Sequence, residues 1–182
     1  KTFMIRDVAT GVSFLEDTDD VVHAGHRYRL SAAVSPATAD QSVTYTVSGL
    51  SGVSVFGDLL IVSDAAASGT IAVTAHAGTS AAPVTAVKNI EVVGKTAFDG
   101  NVKRVAEGES ATFDLSAAGL TSLEGLVVRR MEKKIDAAVN GTSVTIGAEY
   151  LEGFGSRPIE ITFWINGKVY VATVTVSASD NI

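Results

Sequence analysis

The chain has 182 residues, 46% of them hydrophobic and 19% charged, which excludes a wholly disordered segment, and no apolar run approaches the ~20 residues that span a bilayer. It has no cysteine, so neither a disulfide scaffold nor a thiolate metal site is available. The net charge of −6 divides into 5 basic and 9 acidic groups over residues 1–94 and 9 and 11 over residues 95–182, so neither half has the basic surplus of a nucleic-acid binder.

The chain opens without an initiator Met, a basic n-region or an apolar h-region, which predicts an excised piece of a longer chain or a mature product. Helical periodicity is nearly absent, and Val, Thr, Ile, Ala, Ser and Gly dominate. Phe3-Met4-Ile5 and Val12-Ser13-Phe14 read as short leading strands. The run from Tyr28 to Val34 alternates and ends before Pro36. Val43, Tyr45 and Val47 alternate with threonines, which predicts one buried face. Val53-Ser54-Val55 and Leu59 to Val62 flank a turn at Phe56-Gly57-Asp58, a hairpin signal. Thr70 to Ala75 is a strand, Gly78 to Pro83 a loop, and Val87 to Val93 a closing strand.

Gly94-Lys95-Thr96 is the expected boundary, short and without a Gly/Ser run, which predicts a restricted angle between two domains. Beyond it, Val127-Val128 runs into Arg129 and Arg130. Ile135 to Val139 and Thr142 to Ile146 flank Asn140-Gly141, read as a type I′ turn, and Ala148 to Glu152 is the best place for one helical turn. Ile159 to Ile165 and Lys168 to Val176 flank a second such turn at Asn166-Gly167. The plan is stated twice: Gly25 opens a run that closes at Val93, and Gly108 one that closes at Val176, with the same interval of 68 positions. Some seven short strands per unit, with turns at intervals of about 8–12 residues, predict an all-β chain of two tandem immunoglobulin-like β-sandwiches, residues 1–94 and 95–182.

The first unit has a Gly before Tyr28-Arg-Leu30-Ser-Ala32-Ala-Val34-Ser-Pro36, then Val43-Thr-Tyr45-Thr-Val47, then Gly69-Thr-Ile71-Ala-Val73-Thr-Ala75. Over about residues 10–94 it resembles a bacterial Ig-like domain of group 2. It departs where that family has a Trp-Ser-Ser strand; Tyr45 holds the aromatic position. Over about residues 97–177 the second unit is similar to the Ig-like X2-type module, through Val144-Thr-Ile146, Tyr150-Leu151, Ile159-Glu-Ile161-Thr-Phe163 and the closing Val/Thr strand. The resemblances imply secreted or cell-surface bacterial proteins, in which such modules act as spacers, adhesin stalks or accessory units; some also occur in phage virions and tails.

Several residues invite chemistry. Asp17, Asp19 and Asp20 follow Glu16 and supply the alternating carboxylates of a Ca²⁺ loop, but without an EF-hand's Gly and distal Glu; the plainer reading is a solvated loop. His23 and His26 with the distant His76 could ligate a metal, though polar residues at a strand entry are ordinary. No G-x-S-x-G turn supports a Ser/His/Asp set, so no catalytic residue is assigned. Trp164, Tyr170 and Phe163 suggest an aromatic platform for sugar rings. Ile161, Phe163 and Ile165 form an apolar stripe, which leaves Trp164 outward, with Tyr170 the second candidate. Arg129, Arg130, Lys133 and Lys134 cluster at a turn, diluted by Glu132 and Asp136, and read most simply as a charged hairpin guarding a sheet edge. Asn140-Gly-Thr142 matches a glycosylation sequon and is more simply a turn.

The sequence therefore predicts a non-catalytic spacer or interaction module of a secreted or surface bacterial protein, with no cofactor. Its partners are neighbouring domains of a longer chain, and beyond those a polysaccharide or a cell-surface protein. The alternatives are a carbohydrate-binding accessory module of an extracellular glycosidase and a phage virion or tail module.

Overall fold

The computed structural model describes residues 7–131 and 133–177, so the expected strand at Phe3-Met4-Ile5 lies outside the described residues. The chain divides between Gly94 and Lys95 into two compact units. In the first, the strands are β1 (Gly11–Phe14), β2 (Val21–His23), β3 (Arg27–Arg29), β4 (Ala32–Ser35), β5 (Thr44–Ser48), β6 (Val53–Phe56), β7 (Leu59–Val62), β8 (Gly69–Thr79) and β9 (Ala82–Val93). One sheet has the order β2-β9-β8-β5, and β3-β7-β6 with the β1-β4 pair forms the opposing layer. Alternation along β8 and β9 sends Ile71, Val73, Ile90 and Val92 inward against Leu30, Leu60 and Val62. Tyr45 and Val47 face the same core but stay half-buried, because β5 is a sheet edge.

The second unit contains β10 (Lys95–Ala106), β11 (Ala111–Asp114), β12 (Val127–Arg130), β13 (Lys133–Ile135), β14 (Ala138–Asn140), β15 (Ser143–Ile146), β16 (Ile159–Ile165) and β17 (Lys168–Ser177), with 3-10 turns at Leu115–Ala118 and Ala148–Tyr150. The sheets are β10-β17-β16-β12-β13 and β11-β15-β14. Between them, Phe98, Phe113 and Phe163 meet with centroids 5.5–6.4 Å apart at interplanar angles of 64–75°, the edge-to-face geometry the ring quadrupole favours. Phe98 reaches this cluster because the register of β10 shifts between Ala97 and Val102. Asn101 Nδ2 then donates to the Val171 carbonyl at 3.1 Å, satisfying an acceptor within the irregularity.

In both units the first strand of the closing sheet pairs in parallel with the last. Val21, Val22 and His23 oppose Glu91, Val92 and Val93, and the Ala24 N–H continues the ladder to the Val93 carbonyl at 2.9 Å. Lys95 to Ala106 likewise runs alongside Val169 to Ser177.

Four expected elements fall differently. The run from Tyr28 to Val34 is not one strand but β3 and β4, which pair in different sheets. Gly78 to Pro83 is mostly strand: Gly78 pairs with Pro83 and Thr79 with Ala82, so Ser80 and Ala81 alone make the turn. Ile135 to Val139 is not one strand; β13 and β14 belong to different sheets, and the chain changes layer at Asp136-Ala137. The β14–β15 turn is Gly141-Thr142, between the paired Asn140 and Ser143. Only Gly141 has a positive φ there, as a type II′ turn requires, whereas Asn166 (φ 52°) and Gly167 (φ 70°) are both positive, as in type I′. The sequence reading also missed the 3-10 turn at Leu115–Ala118, where Asp114 Oδ1 accepts from the Ser116 N–H and from Thr142 Oγ1.

Because Phe163 is fully buried at the centre of the aromatic cluster, Phe163→Ala is expected to destabilise the second unit by ~3–5 kcal/mol, read as a drop in its denaturation midpoint. We further propose that the units fold independently. Residues 1–94 and 95–182 expressed separately should each give a β-type circular dichroism spectrum and a cooperative melt; two non-cooperative halves would refute this.

Candidate functional site

Trp164 lies on the outer face of β16, half-buried, while its neighbours Phe163 and Ile165 are buried. Its cross-strand partners are Val127 and Val169. The indole Nε1–H donates to Thr162 Oγ1 at 3.0 Å, and the guanidinium carbon of Arg129 stands 4.5 Å from the ring centroid. One ring face is therefore occupied by a cation, whose attraction to the ring quadrupole holds both side chains in place. A sugar ring cannot stack on that face without displacing Arg129. The pairing escapes a sequence reading because it depends on the register of β12 against β16, which sets Arg129 opposite Thr162.

Tyr170 is not available as a second platform ring. It is 5% exposed and packs into the core. It is the direct cross-strand partner of Phe163 and so shares that residue's inward face. The signal was present, since Tyr170 has the parity of Ala172, Val174 and Val176, all buried.

Asp17, Asp19 and Asp20 do not form a metal loop. Asp17 Oδ2 accepts from Ser31 Oγ at 3.0 Å, and Asp20 Oδ1 pairs with Lys88 Nζ at 2.8 Å. Between them Thr18 is buried; its hydroxyl donates to the Ser31 carbonyl and accepts from the Ser31 N–H, both at 3.1 Å. Lys88 also donates to the Thr18 carbonyl at 2.6 Å. These side chains fasten the passage from β1 to β2, and their lysine comes from β9, far along the sequence. Among the described residues, no group of three or more His, Cys, Asp or Glu is placed to hold a metal ion.

His23 and His26 approach each other at 6.4 Å between ring centroids, and the Tyr28 hydroxyl accepts from the His23 backbone N–H at 2.8 Å. His76 is engaged elsewhere, its Nε2 hydrogen-bonded to Thr46 Oγ1 at 2.8 Å. Near the β5 edge, a shallow groove of about 450 Å³ is lined by Asp17, Arg29, Gln41, Tyr45 and Asp58 among others. Arg29 and Asp58 pair there at 2.9 Å. Partial burial, then the charges of Asp58 and Asp17, raise the Tyr45 phenol pKa, so its hydroxyl remains protonated.

Alternation splits the basic cluster. Arg129 turns outward onto Trp164. Arg130 turns to the opposite face, where Nη1 donates to the Tyr150 carbonyl at 2.7 Å and the guanidinium carbon lies 4.9 Å from the Phe154 centroid. Glu132 lies outside the described residues.

These features define an all-β chain of tandem immunoglobulin-like sandwiches. Residues 9–86, within the first unit, match the family described as bacterial Ig-like domain (group 2). No curated protein matches the chain. Solved structures similar to it include extracellular domains 3–5 of Drosophila OTK, at 11% identity, covering 94% of this chain and 63% of that one, with a TM-score of 0.34. A chimeric titin Z1Z2-Z1Z2 tandem is 20% identical over 92% of this chain and 99% of that one, with a TM-score of 0.33. SGBP-B of the Bacteroides ovatus mixed-linkage glucan utilization locus, in complex with a mixed-linkage heptasaccharide, is 12% identical over 88% of this chain and 43% of that one, with a TM-score of 0.31.

Because Trp164 packs on an outer face, Trp164→Ala should cost ~1–2 kcal/mol, well below the figure for Phe163→Ala. Urea denaturation of the two variants followed by far-UV circular dichroism tests this ranking; equal losses would make Trp164 a core residue.

Proposed function

We propose that the chain is a non-catalytic, force-transmitting spacer in a secreted or cell-surface bacterial protein, and that its partners are the neighbouring domains of a longer chain. The parallel pairing of each unit's last strand with a strand near its start, β2 with β9 and β10 with β17, carries this reading. Tension applied to the ends of such a unit pulls the N-terminal end of one strand against the C-terminal end of its parallel neighbour. The ladder is then loaded in shear, with all its hydrogen bonds sharing the force. An antiparallel terminal pair would be unzipped one bond at a time.

The junction supports the same reading. Gly94 is the single residue between β9 and β10. Its N–H donates to Ser68 Oγ at 2.9 Å, and an added Cβ would come within 2.6 Å of the Ala66 carbonyl oxygen. Glycine is therefore needed for the chain to pass its own unit's loop. On the same footing we propose that the second unit is an X2-type module.

The two ladders differ in length: three paired positions in β2/β9 against eight in β10/β17. Single-molecule pulling on the termini should give two ruptures, the first unit yielding at lower force. Each should release roughly 25 nm, at about 3.4 Å per freed residue. Gradual extension without force peaks would refute the spacer reading.

A further inference from the structure

The hairpin of β12 and β13 places like charges directly opposite each other twice in succession: Arg129 faces Lys134, and Arg130 faces Lys133. Such pairs destabilise a sheet. Neither arginine nor lysine forms an ion pair with a described carboxylate, in a chain whose net charge is −6. Edge protection explains part of this, since β13 ends its sheet and exposed lysines discourage pairing with another chain. It does not explain arginines on β12, an interior strand. Arg130 has a structural role over Phe154 and the Tyr150 carbonyl. Arg129 has only the indole; its Nε, like that of Arg130, is buried and makes no hydrogen bond. Outward on one face therefore stand an unneutralised guanidinium, the exposed Lys134 ammonium beside it, and the part-exposed Trp164.

We propose that this face binds an acidic polysaccharide, a chain of sugars bearing carboxylates or sulfates. Arg129 and Lys134 take the anionic groups, and Trp164 offers apolar ring surface beside them. Charge complementarity selects an anionic partner. The indole next to the cations favours a sugar over an acidic peptide. The two cations on this face fall short of the roughly 6–10 phosphate contacts over which a DNA binder spreads its charge. This proposal is independent of the spacer reading, since a sandwich can transmit force whether or not its outer face is occupied.

The test uses the full chain in affinity electrophoresis and fluorescence titration with polygalacturonate at low salt. Neutral dextran, phosphatidylserine vesicles and duplex DNA serve as the other arms. Trp164 is the chain's single tryptophan, so its emission reports directly on this face. Polygalacturonate should retard the protein and shift the emission, rising salt should abolish both effects, and dextran should give neither. Arg129→Gln with Lys134→Gln should weaken binding at least roughly tenfold while leaving the melting temperature unchanged or raised, because a like-charge pair is removed. Lys133→Gln with Lys134→Gln, both at exposed positions of β13, should weaken binding through the loss of Lys134 without disturbing the Arg129–Trp164 contact. Absence of binding, equal binding of dextran, unchanged affinity in both double variants, or preference for vesicles or DNA over polygalacturonate would each overturn the proposal.

Discussion

Each sandwich depends on a hydrogen-bonded ladder between the two ends of its own unit. The last strand of each unit is interior to its sheet: β9 lies between β2 and β8, and β17 between β10 and β16. Those closing strands carry much of the core, Ile90 and Val92 in one unit and Ala172, Val174 and Val176 in the other. Without the leading strand they would be sheet edges, with open N–H and C=O groups and one flank of their apolar residues uncovered. The ladder thus completes the hydrogen bonding and the core together. It also gives each unit a parallel pair between its last strand and a leading one, the feature on which the mechanical reading rests.

The two units arrive at this closure differently. In the first, β1 pairs with β4 in one layer, and the chain then crosses to join β9 as β2. The crossing is fixed by polar groups: Thr18 is buried and bonded to both backbone groups of Ser31, and Lys88 reaches from β9 to the Thr18 carbonyl and the Asp20 carboxylate. In the second, one long strand stays with its partner but slips register after Ala97. There the irregularity is filled by Phe98 entering the aromatic cluster and by Asn101 bonding the Val171 carbonyl. One device is a buried polar network and the other an aromatic wedge. Both keep backbone groups satisfied where regular pairing breaks.

What could be read in advance followed from period and parity. Val/Thr alternation in Val43 to Val47 and in Lys168 to Val176 is local, so the strands and their inward faces were visible. Extending that parity to Tyr170 would have removed it from the candidate platform. What could not be read was register and sheet membership. Asn140-Gly141 looks like a two-residue turn, but the pairing of Asn140 with Ser143 moves the turn one position on. Ile135 to Val139 looks continuous, yet opposing layers claim its two ends. Asp17, Asp19 and Asp20 look like a cation loop until β9 brings Lys88 to Asp20. The last two depend on partners distant in sequence, which nothing local encodes, and the first on a one-position choice of register.

Arg129 and Arg130 show how little a run of like charges says by itself. They are adjacent in sequence and opposite in role because strand period is two. Arg130, on the inward side, directs Nη1 at a carbonyl and its guanidinium plane at a phenyl ring, while its buried Nε makes no hydrogen bond. Arg129, outward, is attracted by an indole that neutralises none of its charge. A sheet that only needed to avoid aggregation could carry a neutral residue at Arg129 and keep its lysines on the edge strand. Retaining a second cation opposite Lys134 costs stability, and that cost is recovered only when an anion is bound. In a sandwich whose inward residues are committed to packing, the outer face is where such a site can be added without disturbing the core or the ladder that closes it.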